Sequence, residues 1–333
     1  MKKSGSALLF KLLGIALLAV CVPGAGQAQP YPNKPIKVIA AISAGGPGDA
    51  LFRIVGEKLT ERWGQPVLVD NRPGANTIVG MEAGVKAPAD GYTWMLTSDA
   101  SVAGNPSLYS KLPYDPVKDF EPISLLGGAT QFLVIPASVP ANSLRELIAL
   151  AKAKPGSLSY ASSGVGSSQH INFETFKRVA GVDILHVPYK GVSAALTDLV
   201  GGQVSMYIFP DSFLLPYIKA GKLRALAVVG PDPMSHSSLL PTVPTFAEAG
   251  MPDYEPLSSW AVLLAPAGTP KDIITKIHGE IFRIMKNPEV QTRIAGLGLE
   301  PLVSNSPQEF KEFIRTETLK WSKAIKESGA KLD

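Results

Sequence analysis

Short apolar runs alternate with amphipathic helical patterns along this chain, and that alternation leaves few folds open. Ile36-Lys37-Val38-Ile39-Ala40-Ala41-Ile42 is almost continuously apolar, as a strand covered on both faces must be. Leu51, Ile54, Val55 and Leu59 then recur at helical spacing. Strand signatures return at 67–69, 92–96, 132–135, 158–161, 184–187, 204–208, 223–228 and 260–264, with helical patterns between most of them. Ser143-Leu144-Arg145-Glu146 and Ser306-Pro307-Gln308-Glu309 each read as a helix start in which a serine and a glutamate cap the first turn. Ile273, Ile277, Ile281, Ile284 and Met285 mark one face of another helix. The pattern predicts an α/β protein whose sheets are mainly parallel and covered by helices.

The first residues form a separate unit. Lys2 and Lys3 precede a short apolar stretch from Leu12 to Val20, and Gly26-Gln27-Ala28 supplies a small-x-small cleavage site. This predicts a secretory signal peptide over 1–28, cleaved near Ala28. Cys21 is the one cysteine, and Val20 before it does not suit a lipid-anchor site. The processed chain would therefore hold no disulfide and no thiolate metal site. Three of the 32 basic residues, Lys2, Lys3 and Lys11, leave with the leader, so 29 face 28 acidic ones. Such a balance argues against nucleic acid or an anionic membrane surface as partner. About 305 residues remain, which suggests two domains. The economical arrangement is two α/β lobes, with crossings at 123–130 and 258–265. Lobe 1 is then discontinuous, 29–125 with 262–333, and lobe 2 is 126–261.

Two turns carry the features of a site. Ser43-Ala44-Gly45-Gly46-Pro47-Gly48-Asp49 lies between a strand and a helix. So little side chain lets a ligand approach the backbone, where a helix start offers unpaired N–H groups and the positive dipole end. A plain tight turn is the bland alternative. Neither a phosphate loop nor a dinucleotide fingerprint fits the glycine spacing. Asp49 reads as a helix cap, or as the group that orients the loop amides. The same grammar returns in Tyr160-Ala161-Ser162-Ser163-Gly164-Val165-Gly166-Ser167-Ser168-Gln169-His170. Two such turns at the carboxyl ends of strands, one per lobe, would face each other across a cleft. Thr97-Ser98-Asp99-Ala100-Ser101 is a third strand end of this kind.

Catalysis finds less support. Gly164-Val165-Gly166-Ser167-Ser168 is not a nucleophile elbow. The four histidines, His170, His186, His236 and His278, form no metal-like pair. His186 lies in an apolar strand and reads as structural, as His278 does on its isoleucine-rich helix. His170 opens a helix beside the small-residue turn and is the one placed to reach the cleft. A secreted α/β hydrolase or transferase, using a serine of the 162–168 turn with His170, is the alternative from another class.

An ordered set of longer motifs adds to this: "SAGGPGD", "VDNRPGAN", "PADGYT", "NPSLYSKLPYDPVKDFEPIS", "ILHVPYKGVSAALTDLVGGQV", "IKAGKLRALAV", "LPTVPTFAEAGMPDYE" and "LLAPAGTPKDI". Together, over 31–330, they closely resemble the Bug-type solute-binding proteins of tripartite tricarboxylate transporters. The resemblance implies a two-lobed periplasmic binding protein of Venus-flytrap form (type II-like). It implies a receptor without cofactor or enzymatic activity, a monomer that delivers a small organic carboxylate to one large and one small integral membrane permease subunit. A signalling receptor would share the same fold and site. Carried over residue by residue, the ligand-binding set is Ser43, Ala44, Gly45, Gly46 and Asp49 in the first turn. In the second it is Ser162, Ser163, Gly164, Gly166, Ser167, Ser168 and His170, with Ser98 and Asp99 lining the cleft.

Two departures from the family bear on the ligand. A Phe-Asp-Asn-like segment is replaced by Tyr207-Ile208-Phe209-Pro210-Asp211, which adds Phe209 and Asp211 to the candidate set. A Ser-Ser-His-Leu-Ala-Gly run reads Ser-Gln-His-Ile-Asn-Phe, altering positions 169, 172 and 173. Phe209 in the cleft would favour an aromatic or apolar distal group. Phe209 in the core would leave ligand choice elsewhere.

Overall fold

The computed structural model describes residues 31–190, 192–230, 236–237 and 239–329. The expected signal peptide over 1–28 lies outside them. No helix among the described residues is long and apolar enough to cross a membrane.

The chain opens with β1 (Ile36–Ala40), α1 (Pro47–Trp63), β2 (Val67–Asn71), α2 (Ile78–Val85) and β3 (Thr93–Ser98). A π-helical turn (Ala100–Gly104) and the short α3 (Asn105–Leu108) lead to β4 (Phe120–Ala129) and β5 (Gln131–Pro136). Then follow α4 (Leu144–Ala153), β6 (Ser159–Ser162), α5 (Ser168–Ala180), β7 (Leu185–Pro188) and α6 (Val192–Val200). Next come β8 (Tyr207–Pro210), α7 (Asp211–Lys219), β9 (Leu223–Val229) and β10 (Ser259–Pro266). The chain closes with α8 (Lys271–Met285), α9 (Pro288–Ala295), β11 (Leu299–Glu300) and α10 (Pro307–Ser328).

Local chemistry sets several of these boundaries. Pro47 opens α1, where its missing N–H removes nothing. Gly64 closes the helix at φ 64°, a left-handed conformation that glycine adopts without strain. Ser143 caps α4 by accepting the Glu146 amide at 3.2 Å, and Glu146 accepts the Asn142 amide at 2.7 Å. Ser306 accepts the Glu309 amide at 3.0 Å at the start of α10.

Six strands form the first sheet in the order β11-β4-β10-β3-β1-β2. β1 runs parallel to β2 and β3, whereas β10 is antiparallel to both β3 and β4. The second sheet has the order β8-β5-β9, with β5 antiparallel to both neighbours. The parallel pair β6-β7 joins its β8 side through a single bridge, Tyr160 to Met206. In both sheets most strands share one direction. The reversed ones are β10 and β11 in the first and β5 in the second; β5 follows the passage out of the first sheet and β10 the return to it. A single residue, Thr130, separates β4 from β5.

Alternation along β5 divides the second core. Phe132 and Val134 pack with Tyr207, Phe209 and Leu214 on the α6–α7 face. Leu133 and Ile135 pack with Tyr160, Phe173 and Phe176 on the α4–α5 face. The first sheet packs Met95, Val262 and Leu264 against Phe310, Trp321 and Ile325 of α10. The two sheets thus each end in a strand–turn–helix unit, β1 to α1 and β6 to α5.

Candidate functional site

The first turn is organised by one carboxylate. Asp49 is 1 % exposed. Its Oδ2 accepts the Gly45 amide at 2.9 Å and Arg53 Nε at 2.8 Å, and its Oδ1 accepts Asn71 Nδ2 at 2.9 Å. Asn71 also donates to the Ile42 carbonyl and accepts from Arg53, so β2 and α1 are both tied to the turn. Burial opposes the charge on Asp49. The hydrogen bonds from Arg53, Asn71 and Gly45 outweigh it and hold the carboxyl below its usual range. Asp49 is not the helix cap: that position is Gly46, which has no side chain to cap with. Its role is the other one weighed from sequence, orienting the loop amides.

This organisation engages some of the amides that the sequence suggested were free. Gly45 N–H goes to Asp49, and Gly46 N–H to the Ser43 carbonyl at 3.3 Å. The Ser43 and Ala44 amides, and those of Gly48 and Asp49 in the first turn of α1, have no partner among the described residues. Ser43, Ala44 and Gly45 are exposed. Gly45 sits at φ 73° with open space where a Cβ would stand, so its backbone conformation is what requires glycine.

The second turn is buried and neutral. Ser162 is 0 % exposed, and its Oγ lies 2.7 Å from His186 Nε2 and 3.1 Å from the Gly164 carbonyl. Ser163 donates to Gln169 Oε1, and Ser167 donates to the Gly164 carbonyl while capping α5. The Gly166 N–H is accepted by His170 Nδ1 at 3.1 Å. Most of the turn's polar groups therefore shape it from within. The Ser168 hydroxyl has no partner among the described residues. Burial lowers the pKa of both histidines, His186 to about 4.

The Ser–His pairing weighed for catalysis joins different residues. His186, not His170, meets a serine of the turn. That serine is fully buried, and no carboxylate among the described residues hydrogen-bonds either ring. The same bond explains His186 in its apolar strand: it is a satisfied histidine whose partner is the turn. His278 bonds the Ser304 carbonyl, and His236 the Val243 carbonyl and Glu248. Among the described residues no cluster of three His, Cys, Asp or Glu side chains has metal-binding geometry.

The remaining candidates spread out. Ser98 ends β3 opposite Ala261. Asp99 is 2 % exposed and faces the Trp260 amide inside the fold, with Oδ2 unpartnered. Burial pushes its carboxyl up to about 7, helped by the like charge of Glu317 and opposed by the Trp260 amide. Phe209 is core: it is 3 % exposed, stacks on Tyr207 at 5.1 Å and touches Phe213 at 5.5 Å. Asp211 accepts Ser237 Oγ at 2.6 Å, and its amide donates to Thr130 beside the crossing between sheets. Among the described residues no hydrogen bond joins Phe209 or Asp211 to either turn. The altered family positions are internal as well. Asn172 donates to and accepts from the Leu257 backbone, Gln169 holds Ser163, and Phe173 stacks on Tyr160.

One set of residues had no role assigned from sequence. Asn76 Nδ2 donates to Asn105 Oδ1 at 2.7 Å and reaches the Gly166 carbonyl of the second turn at 3.5 Å. Asn105 donates to the Asn76 carbonyl and to Tyr114, and Ser101 donates to Thr77. Ala75, Asn76 and Thr77 all have positive φ, at 44°, 49° and 75°, a strain that persists only where the surroundings impose it. Asn76 meets a partner 90 residues away in the chain. An open groove of about 320 Å³ between α4 and α5, lined by Arg145, Lys152 and Met251 among others, shares no residue with either turn.

Known proteins resemble this chain. Residues 51–330 match the family described as tripartite tricarboxylate transporter family receptor. BugT of Bordetella pertussis is 35% identical over 325 residues, 97% of this chain and 98% of its own. A structure of an R. palustris protein with adipate superposes with TM-score 0.84 at 33% identity, covering 91% of this chain and all of that one. MatC from Rhodopseudomonas palustris with bound malate gives 0.78 at 27% identity, covering 89% of this chain and 100% of its own.

Proposed function

Because this chain belongs to the tripartite tricarboxylate transporter receptor family, we propose that it captures a small organic carboxylate between the 43–49 and 162–168 turns and delivers it to a membrane permease. The family is one of carboxylate-binding periplasmic receptors. The observation that carries the reading is the pairing of two strand–turn–helix units from separate sheets, both poor in side chains and both braced from behind. Unpartnered amides at Ser43, Ala44, Gly48 and Asp49 and the free Ser168 hydroxyl supply donors where no cation is needed. Asp49, Gly45, Gly46, Ser162, Ser163, Gly164, Ser167, Gly166 and His170 serve by shaping those donors, and Ser98 closes one side. Waters complete the shell.

The lobes are taken as 29–125 with 262–333, and 126–261, and their closure excludes bulk water. The first sheet's use of strands from both sides of the second favours that division. Export with cleavage near Ala28, action as a monomer, engagement of one large and one small permease subunit, and absence of catalysis are parts of the same reading. Phe209, packed away in the core, gives no reason to favour aromatic ligands. Adipate and malate in the R. palustris structures favour aliphatic dicarboxylates.

A thermal-shift screen of the mature protein against mono-, di- and tricarboxylates tests this. Ligand at 100 times its Kd should add about 2.7 kcal/mol of stability, with the ligand recovered unchanged. No shift for ligand-stripped protein with any carboxylate would refute the reading.

A further inference from the structure

Beneath the second turn four rings form a stack. Phe173 lies 4.4 Å from Tyr160, Tyr160 4.8 Å from His186, and His186 4.3 Å from His170, with interplanar angles of 24°, 13° and 20°. The last two rings each hold one part of the turn. His186 meets Ser162 Oγ at 2.7 Å, and His170 Nδ1 accepts the Gly166 N–H at 3.1 Å. Gly166 is also where Asn76 reaches across from the first sheet's side.

The two contacts respond differently to a proton. A protonated His186 still donates from Nε2, because Ser162 can turn its own proton to the Gly164 carbonyl at 3.1 Å. A protonated His170 carries hydrogen on Nδ1, where it faces the Gly166 N–H donor to donor. We propose that His170 and His186 are positioning residues, a pedestal that keeps the second turn in its ligand-accepting shape, and that a proton on His170 releases Gly166 and weakens ligand binding. The proposal rests on the reading of that turn as a carboxylate site.

The electrostatics around the pair agree with its geometry. α5 supplies Glu174 and Lys177, paired with each other at 2.9 Å. β6 supplies the neutral Tyr160, whose hydroxyl donates to Glu174 at 2.6 Å. β7, the 162–168 turn and the 74–77 loop bring no other charged side chain. Burial disfavours either imidazolium, and at His186 the neighbouring ring of His170 disfavours it further. Both rings are therefore neutral at neutral pH, as an accepting Nδ1 requires.

The test has one arm without ligand and one with. In ¹⁵N-labelled, ligand-stripped protein, long-range NMR spectra report the state of His170 Nδ1, and the Gly166 amide shift is followed from about pH 7.5 to 5. The expected result is an unprotonated Nδ1 at neutral pH and a Gly166 amide that moves with the His170 titration. In the second arm, adipate and malate are titrated calorimetrically at about pH 7.5 and 5.5 into wild type and H170N. The Asn Oδ1 accepts the same N–H without titrating, and the ligand's own protonation cancels between the two proteins. Between these pH values wild type should lose more affinity than H170N, by up to about tenfold, the ceiling that one hydrogen bond sets. A protonated Nδ1 at neutral pH, a Gly166 amide indifferent to His170, or equal losses in both proteins would overturn the pedestal. If the NMR result is as expected but neither acid binds wild type, the dicarboxylate reading fails and the His170–Gly166 link survives it. Should H170N not fold, the wild-type NMR arm decides.

Discussion

The two turns are built on one plan and held by opposite means. The first is fastened by an ionic clasp: Asp49 takes Gly45, Arg53 and Asn71, and its tip at Ser43 to Gly45 is exposed. The second is fastened by neutral groups, serine hydroxyls and two stacked imidazoles, and is largely buried. A small polar turn cannot hold its own shape, because glycine and serine add little packing. Each turn therefore borrows rigidity from side chains behind it, a carboxylate in one case and rings in the other. Their responses to acid should separate accordingly.

Phe209→Ala bears on how far the second region extends and should have the largest effect. A phenylalanine buried between Tyr207 and Phe213 should cost about 3–5 kcal/mol when truncated. Denaturant unfolding reads this, and the ranking of dicarboxylates in the folded fraction should not change. A changed ranking would extend the site to β8. Asp49→Ala breaks the first clasp. It should destabilise by about 2–3 kcal/mol, since it strands the Gly45 amide and Asn71. It should also weaken ligand binding in calorimetry, whereas intact binding would show that the turn stands without its clasp.

The pH profiles sharpen the comparison. Asp49 is held low, so its contribution is present above the ordinary aspartate range, near pH 3.9, and is lost only below it. His170 and His186 are held low too, but as bases. Their contribution is complete above about pH 6.5 and fades as pH falls, toward pH 4 for His186. Buried Asp99, raised to about 7, works in the other direction: the folded state holds its proton longer, so stability falls as pH rises from about 3.9 to 7. D99N should therefore lose stability more steeply than wild type on going from pH 7 to 5, as measured by thermal denaturation. An unchanged slope would show that Asp99 does not offset the histidines. Gly45→Ala should be mildest, about 1 kcal/mol for placing a Cβ at φ 73° in open space.

Much of the plan was legible because its signals are local. The capping serines at 143 and 306, Pro47 at a helix start and the glycines of the turns act within a few residues of themselves. The strand–turn–helix units followed from period and composition. Less legible was which groups of a turn remain free. The residues suggested Gly45, Gly46 and Gly48 as bare amides, yet those of Gly45 and Gly46 have internal partners. Asn172 and Gln169 looked like ligand-side changes, and both turned out to brace the backbone or the turn.

The amino-acid sequence by itself determined the elements and the two small-residue turns, since helical and strand periods and backbone freedom are properties of neighbouring residues. Only the tertiary structure decided what stands behind each turn. Asn71 reaches Asp49 from β2, His186 reaches Ser162 from β7, and Asn76 crosses 90 residues to Gly166. Hydrogen-bond partners at such separations are chosen by how sheets and helices pack, and packing leaves no periodic trace in the chain.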